Sequence, residues 1–449
     1  MVRRKKRIAA MAVCLCLCLG GCSLTGLDAQ GLINPPKANA DQQAIHALLK
    51  SDKEEINFVY PKNGDYRSAV IMHDFTGNGK DDALGFSAEP EGGVTLRFMI
   101  KGPEGWSTLA SVKNPATQVD RVCFGDLTGD GQEEVVVGWG APQSMTANIC
   151  IYTYAGGRVK EYPLEHTYNE LAITDLNEDK VDELFTATIF TKTEEEDGKD
   201  KNAIARIFTF SENKPELSLS CVLNDTVVRY SGITFSGIDS HKKGVVLEGV
   251  MADNSTITQI LYLEEEGKKL AAPLSGTMLQ QKYNYFNRPS SIAITSKDVD
   301  GDGIMEYPKL TVQPGYSMEG SLDSYCYYVD WVKFDTVQLT HKEVKRQIFN
   351  FSENYVLEIP QNIKEEIGCF STEPRTLTFR QIQSDKGGVL LNSKKLFTIK
   401  AFSPEEWKKS PGDYSLLLLT RNNAIYGEKV FDYTKGTMEL IKKFKLIQE

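Results

Sequence analysis

The sequence predicts a mainly β protein: a propeller of about five blades, most carrying an acidic loop, plus a small C-terminal α+β domain. Three observations lead there. Four segments, residues 69–83, 121–135, 171–184 and 292–307, share one pattern, an apolar β run feeding an acidic loop that opens into a second β run. Their leading acids, Asp74, Asp126, Asp175 and Asp298, stand 52, 49 and 123 residues apart. The last gap is about two periods, with 233–249 in its middle as a copy whose acidic loop has decayed. A period of about 50 residues fits one four-stranded blade with its loops. Helical periodicity is nearly absent from 68 to 349, so radial repetition of small sheets is what keeps so many strand edges protected.

The elements follow in chain order. Residues 3–7 are basic, and the apolar stretch 8–19 is too short to span a bilayer of about 30 Å but suits a signal-peptide core. It ends in Leu19-Gly20-Gly21-Cys22, which resembles the bacterial lipobox. That resemblance implies cleavage before Cys22, lipidation of its thiol and a stable two-chain anchor at the extracytoplasmic face of the cell membrane. On this reading 1–21 is a signal peptide and 22–40 a spacer with Pro35-Pro36. Residues 41–66 hold a short helix, with Ile45, Leu48 and Leu49 on one side, and a β run at 56–60 that could complete the last blade and close the ring. The propeller occupies 67–349, with further strands at 134–139, 148–154, 184–189, 203–210, 244–250, 256–263 and 325–334. From 350 to 449 the pattern loosens into the α+β domain.

Counted from the leading Asp, the loops place side-chain oxygens at positions 1, 3, 5 and 9. These are Asp74, Thr76, Asn78 and Asp82; Asp126, Thr128, Asp130 and Glu134; Asp175, Asn177, Asp179 and Glu183; Asp298, Asp300, Asp302 and Glu306. Position 7 (Lys80, Gln132, Val181, Ile304) would offer its backbone carbonyl. Ca²⁺ takes six to eight oxygens, and a tightly curled loop with alternate residues turned inward supplies them. A mere Asp/Asn/Gly turn needs no acid at position 9, yet every loop has one. The curl needs positive φ, and three loops have Gly at positions 4 and 6 (Gly77/Gly79, Gly129/Gly131, Gly301/Gly303). The third has Glu178 and Lys180 there. Position 12 holds Gly85, Val137, Thr186 and Lys309 rather than a bidentate Glu, so these are not EF-hands. By charge count the Asp298 loop, with four carboxylates, is the tightest site.

Phe124-Gly125-Asp126-Leu127-Thr128-Gly129-Asp130-Gly131, followed by Gly138-Trp139-Gly140-Ala141-Pro142, resembles the FG-GAP/VCBS repeats of integrin-α-type β-propellers. The resemblance covers about 67–345. It implies Ca²⁺ held at blade edges as bracing, and ligand binding on an exposed face. Loop three departs by lacking its glycines, and blade four by lacking the acidic loop.

Composition excludes several other roles. Among 449 residues, 41% are hydrophobic and 25% charged, which is globular rather than disordered. Without its five leader cations the chain has 46 basic against 61 acidic residues, a poor match for nucleic acid. Five cysteines beyond residue 22 show no metal spacing and read as buried hydrophobes. The five histidines are scattered, and no nucleophile elbow, phosphate loop or dinucleotide fingerprint occurs. Residues 194–201 read as a charged hairpin tip. Tyr325, Tyr327, Tyr328 and Trp331, with Tyr283, Tyr285 and Phe286, read as blade packing ahead of a carbohydrate-stacking platform. The function expected is therefore binding or scaffolding for a protein or glycan partner. A propeller hydrolase and an accessory subunit of an envelope complex are the alternatives.

Overall fold

The computed structural model describes residues 40–50, 56–189, 203–212, 214–273, 287–317, 322–385, 389–410 and 412–447. The leader, Cys22, the spacer, the 194–201 tip and Tyr283, Tyr285 and Phe286 lie outside them.

Six antiparallel sheets follow one another along the chain. Sheet one runs β1 (Val70–His73), β2 (Asp82–Ala88), β3 (Val94–Gly102) and β4 (Gly105–Asn114). Sheet two repeats this with β5 (Gln118–Gly125), β6 (Glu134–Gly140), β7 (Ala147–Ala155) and β8 (Arg158–Tyr168). Sheet three has β9 (Glu170–Thr174), β10 (Glu183–Thr188), β11 (Ile204–Ser211) and β12 (Lys214–Val222). Sheet four has β13 (Val227–Gly237), β14 (Lys243–Met251), β15 (Thr256–Glu264) and β16 (Lys269–Ala271), with β17 (Asn287–Arg288) also pairing to β15. The decayed repeat is therefore a full sheet in its own right.

Burial explains the residue pattern within each sheet. The second strands β2, β6 and β10 are buried along nearly their whole length because both faces are covered, β6 and β10 by a sheet on either side, β2 by sheet two and the N-terminal helix. The fourth strands β4, β8 and β12 are half-exposed and correspondingly polar. Each neighbouring pair of sheets shares its own core. Phe86, Phe98 and Trp139 fill the space between sheets one and two, and Ile151, Leu171 and Leu184 that between two and three. Phe185 and Leu247 join three to four, and Tyr262, Tyr307 and Phe334 join four to five. Gly138 is obligatory at the second of these seams: a Cβ there would sit 1.7 Å from the hydroxyl of Tyr168, which lies in the core between sheets two and three.

The C-terminal third departs from expectation. Sheet five comprises β18 (Tyr307–Val312), β19 (Tyr327–Asp335), β20 (Thr340–Asn350), β21 (Tyr355–Ile359) and β27 (Phe444–Leu446). The boundary expected at 350 thus falls inside a hairpin, where Asn350 pairs with Tyr355. Residues beyond it build sheet six, in the order β22 (Glu366–Glu373), β23 (Thr376–Ser384), β24 (Leu390–Phe402), β26 (Ile425–Val430), β25 (Ser415–Leu419). Helices α2 (Pro404–Lys408) and α3 (Lys435–Ile441) are insertions beside it. Leu357, Phe379 and Phe397 sit in one core spanning sheets five and six, so this region continues the stack instead of forming a separate α+β unit.

At the other end, α1 (Ala40–Lys50) buries Ile45 and Leu49 on sheet one. The 56–60 run stays there too. Phe58 bridges Ser87, and Val59 N–H donates to the Phe86 carbonyl at 3.1 Å. It extends the β1 edge under the helix and does not complete the last sheet. Among the described residues, no hydrophobic cluster joins sheet one to sheet six.

Candidate metal centres

The four acidic loops occupy the same place in their sheets, between the first strand and the second. In sheet five the first strand is reduced to one bridge, Lys297 to Glu306. Each loop is held by one hydrogen-bond scheme. The leading carboxylate accepts backbone amides from inside the curl: Asp74 from Asn78 (3.0 Å) and Gly79 (2.6 Å), Asp126 from Gly129 (2.7 Å), Asp130 (3.1 Å) and Gly131 (2.9 Å). Asp175 accepts from Asp179 (3.1 Å) and Lys180 (2.9 Å), and Asp298 from Gly301 (2.6 Å) and Gly303 (2.9 Å). The fifth position accepts the amide of the seventh in all four, Lys80, Gln132, Val181 and Ile304 being the donors.

The ninth position closes the loop. Asp82, Glu134, Glu183 and Glu306 are all buried. Asp82 accepts Thr76 N–H at 3.1 Å, Glu134 accepts Leu127 and Thr128 at 3.0 and 3.1 Å, Glu183 accepts Leu176 at 2.7 Å and Glu306 accepts Val299 at 2.6 Å. Burial pushes Glu134 and Glu183 up to about 7, against the pull of those amides and with the neighbouring acids adding to the rise. Asp82 and Glu306 move in the same direction, again chiefly through burial.

Backbone geometry matches throughout. Positions 4 and 6 take φ of 68° and 80° (Gly77, Gly79), 74° and 84° (Gly129, Gly131), and 82° and 83° (Gly301, Gly303). Loop three adopts the same curl without glycine, with Glu178 at 63° and Lys180 at 73°. Its departure from the sequence pattern therefore costs backbone strain but does not change the shape.

The oxygens differ in how closely they converge. Ligand atoms of Asp298, Asp300, Asp302 and Glu306 all lie within 4.8 Å of one another, and among the described residues no other group of three or more such side chains does so. The three aspartates are exposed and Glu306 is buried. Lys333, from β19, reaches this cluster: its ammonium is 2.9 Å from Asp300, in contact with Asp302 and 3.3 Å from Glu306 Oε1. Burial lowers the Lys333 pKa, but the hydrogen bonds to Asp302, Asp300 and Glu306 outweigh it and leave it raised. In loops one and three the Thr76 hydroxyl (to Asp82, 2.7 Å) and the Asn177 amide (to Glu183, 2.7 Å) turn inward instead.

The donor set fits a hard cation. One of the expected ligand oxygens, Thr128 Oγ1, is buried without a hydrogen-bond partner, an arrangement that costs about 1–3 kcal/mol unless something pairs with it, while the buried Glu306 Oε1 faces the Lys333 ammonium at 3.3 Å.

The loops also bond to one another. Asp126 N–H donates to the Asp182 carboxylate at 3.0 Å, and Asp182 N–H returns to the Asp126 carbonyl at 2.8 Å. His73, stacked on Phe124, is 2.6 Å from Glu133. Lys243 pairs with Glu178 at 2.7 Å, and Met305 N–H donates to the Gly237 carbonyl at 2.8 Å. In sheet four the connection is shorter. Asp239 there accepts His241 and Lys242 amides and, from sheet five, the Thr336 amide at 3.0 Å. It clasps two sheets instead of framing a cage. Glu133, Asp182, Asp239 and Lys333 all escape a reading confined to one repeat. Only the β18–β19 register, Tyr307 opposite Val332, would have brought Lys333 beside Glu306.

Of the aromatic group, Tyr328 and Trp331 are buried, and the Trp331 indole donates to Gln347 at 2.7 Å. They are seam packing, not a platform. All five described cysteines are unpaired, with Cys150, Cys326 and Cys369 buried. No protein-family model matches the chain, and no curated protein matches it. Among solved structures it is similar to the Bacillus licheniformis rhamnogalacturonan lyase PL11, at 13% identity and a TM-score of 0.31, covering 77% of this chain and 72% of that one.

Proposed function

We propose that this is a lipid-anchored protein of the extracytoplasmic membrane face, in which calcium held by the acidic loops braces a propeller-type array of sheets that binds a protein or glycan partner. The observation that carries the calcium reading is the recurrence of one oxygen frame, with a buried ninth carboxylate, in four loops along one edge. The orphaned Thr128 hydroxyl oxygen supports it, since a cation in loop two would pair with it. Asp126, Thr128, Asp130, the Gln132 carbonyl and Glu134 would hold the ion in loop two, with equivalent positions elsewhere. The ion would supply a charge that several carboxylates share, fixing the loop and with it the seam to the next sheet. The blade reading is supported by three consecutive four-stranded meanders with buried second strands, followed by three five-stranded antiparallel sheets, six units where the sequence suggested about five. The anchor rests on the Leu19–Cys22 motif alone.

The test is thermal unfolding of the full chain in detergent, with chelator and with millimolar calcium, the range of extracellular sites. Calcium should raise the melting temperature, and Asp126→Ala should remove a large part of that rise. A melting temperature indifferent to calcium would sink the reading.

A further inference from the structure

We propose that Lys333 is the resident cation of the Asp298 loop, the fifth loop of the array once the Asp239 connection of sheet four is counted as the fourth: its ammonium stands where a metal would stand, and a divalent ion enters only by displacing it. This rests on the reading of the loops as cation cages. It also reverses the ranking by charge, under which the loop with four carboxylates binds calcium most tightly.

The geometry matches the chemistry of an ammonium. Such a group has three N–H donors and no acceptor. Lys333 meets three carboxylates, Asp300 at 2.9 Å, Asp302 in closer contact and Glu306 Oε1 at 3.3 Å. The fourth, Asp298, is left to the Gly301 and Gly303 amides. Glu306 is fully buried, and the Lys333 ammonium, 3.3 Å from its Oε1, is the positive charge that offsets its desolvation. Among the described residues, no Lys or Arg pairs with positions 1, 5 or 9 of the first three loops. Their frames are closed by hydroxyl and amide groups, which bring no charge.

Displacement is sterically open. Asp302 and Lys333 line a cleft of about 580 Å³ between the fourth and fifth loops, where Asp239 and Asp335 also lie. A released ammonium can swing into it and remain near carboxylates. The fifth loop is thus braced whether or not calcium is present, while the other three follow the surrounding concentration.

Lys333→Met removes the charge and keeps the stem. In chelator its melting temperature should fall about 2–5 °C below wild type, and Lys333→Arg should recover much of the loss. Calcium should restore Lys333→Met and reveal a site at least about tenfold tighter than the fifth loop offers in wild type, read by calorimetric titration. Asp302→Asn added to Lys333→Met should recover stability in chelator by relieving repulsion, a check that holds if the single variant folds poorly. Superimposable melting curves and titrations for wild type and Lys333→Met would overturn the proposal. If wild type binds no calcium at any loop but Lys333→Met still melts lower in chelator and is rescued by Asp302→Asn, the calcium reading falls and Lys333 keeps its role as counter-ion.

Discussion

Glu134 and Glu183 set the pH behaviour expected of the metal-free protein. Both have folded pKa values raised to about 7, above the ordinary carboxylate value near 4.5 that the unfolded chain has. The folded state therefore holds more protons than the unfolded state between those limits, and stability falls as pH rises through the window. In chelator, the melting temperature should drop between about pH 5 and pH 7.5. Calcium, which favours the ionised carboxylates, should flatten or invert that slope. A chelated protein that grows more stable across this range would contradict the burial of these two groups as described. These residues were legible in the sequence because position 9 is fixed by local spacing. Lys333 was not. It lies 27 residues beyond Glu306, and only the pairing of β18 with β19 brings the two together.

At the scale of the element, loop three shows that the acidic frame outweighs backbone preference. Glu178 and Lys180 hold left-handed φ because Asp175, Asp179 and Glu183 accept the same amides as in the glycine-bearing loops. Lys180→Gly should relieve that strain and stabilise the protein by up to about 1 kcal/mol, read as a higher denaturant midpoint. Gly129→Ala should act in the opposite direction, since its Cβ would meet Val181 Cγ2 at 2.8 Å at a φ of 74°. Strand positions were legible wherever a leading acid marked the first connection. In sheet six the apolar runs at 376–380, 395–401 and 416–420 were visible, but not their membership of a further sheet in the array, because β22 and β23 are joined by the two residues Pro374 and Arg375, with no acidic loop to announce the repeat.

Across the whole molecule, stability is carried seam by seam, each sheet depending on its neighbours for cover. Among the described residues, each end sheet shares a core with only one other sheet, and α1 covers the second face of sheet one. Leu49 is buried there, close enough to Gly85 that a Cβ on the glycine would lie 2.7 Å from it. Leu49→Ala should cost about 2–5 kcal/mol. The loss should fall first on sheet one, read as early amide exchange in β2 and β3 while the later sheets stay protected. The sequence showed the helix and its apolar side. That its partner would be the first sheet, and that 56–60 would stay beside it, depended on which face lacked a neighbour, a property of the assembled stack.

The direct backbone link between Asp126 and Asp182 has a mechanical consequence. If the cages hold the ions proposed, this ladder, sewn along a single margin, works like the spine of a book: on loss of those ions the pages would fan while each keeps its own weave.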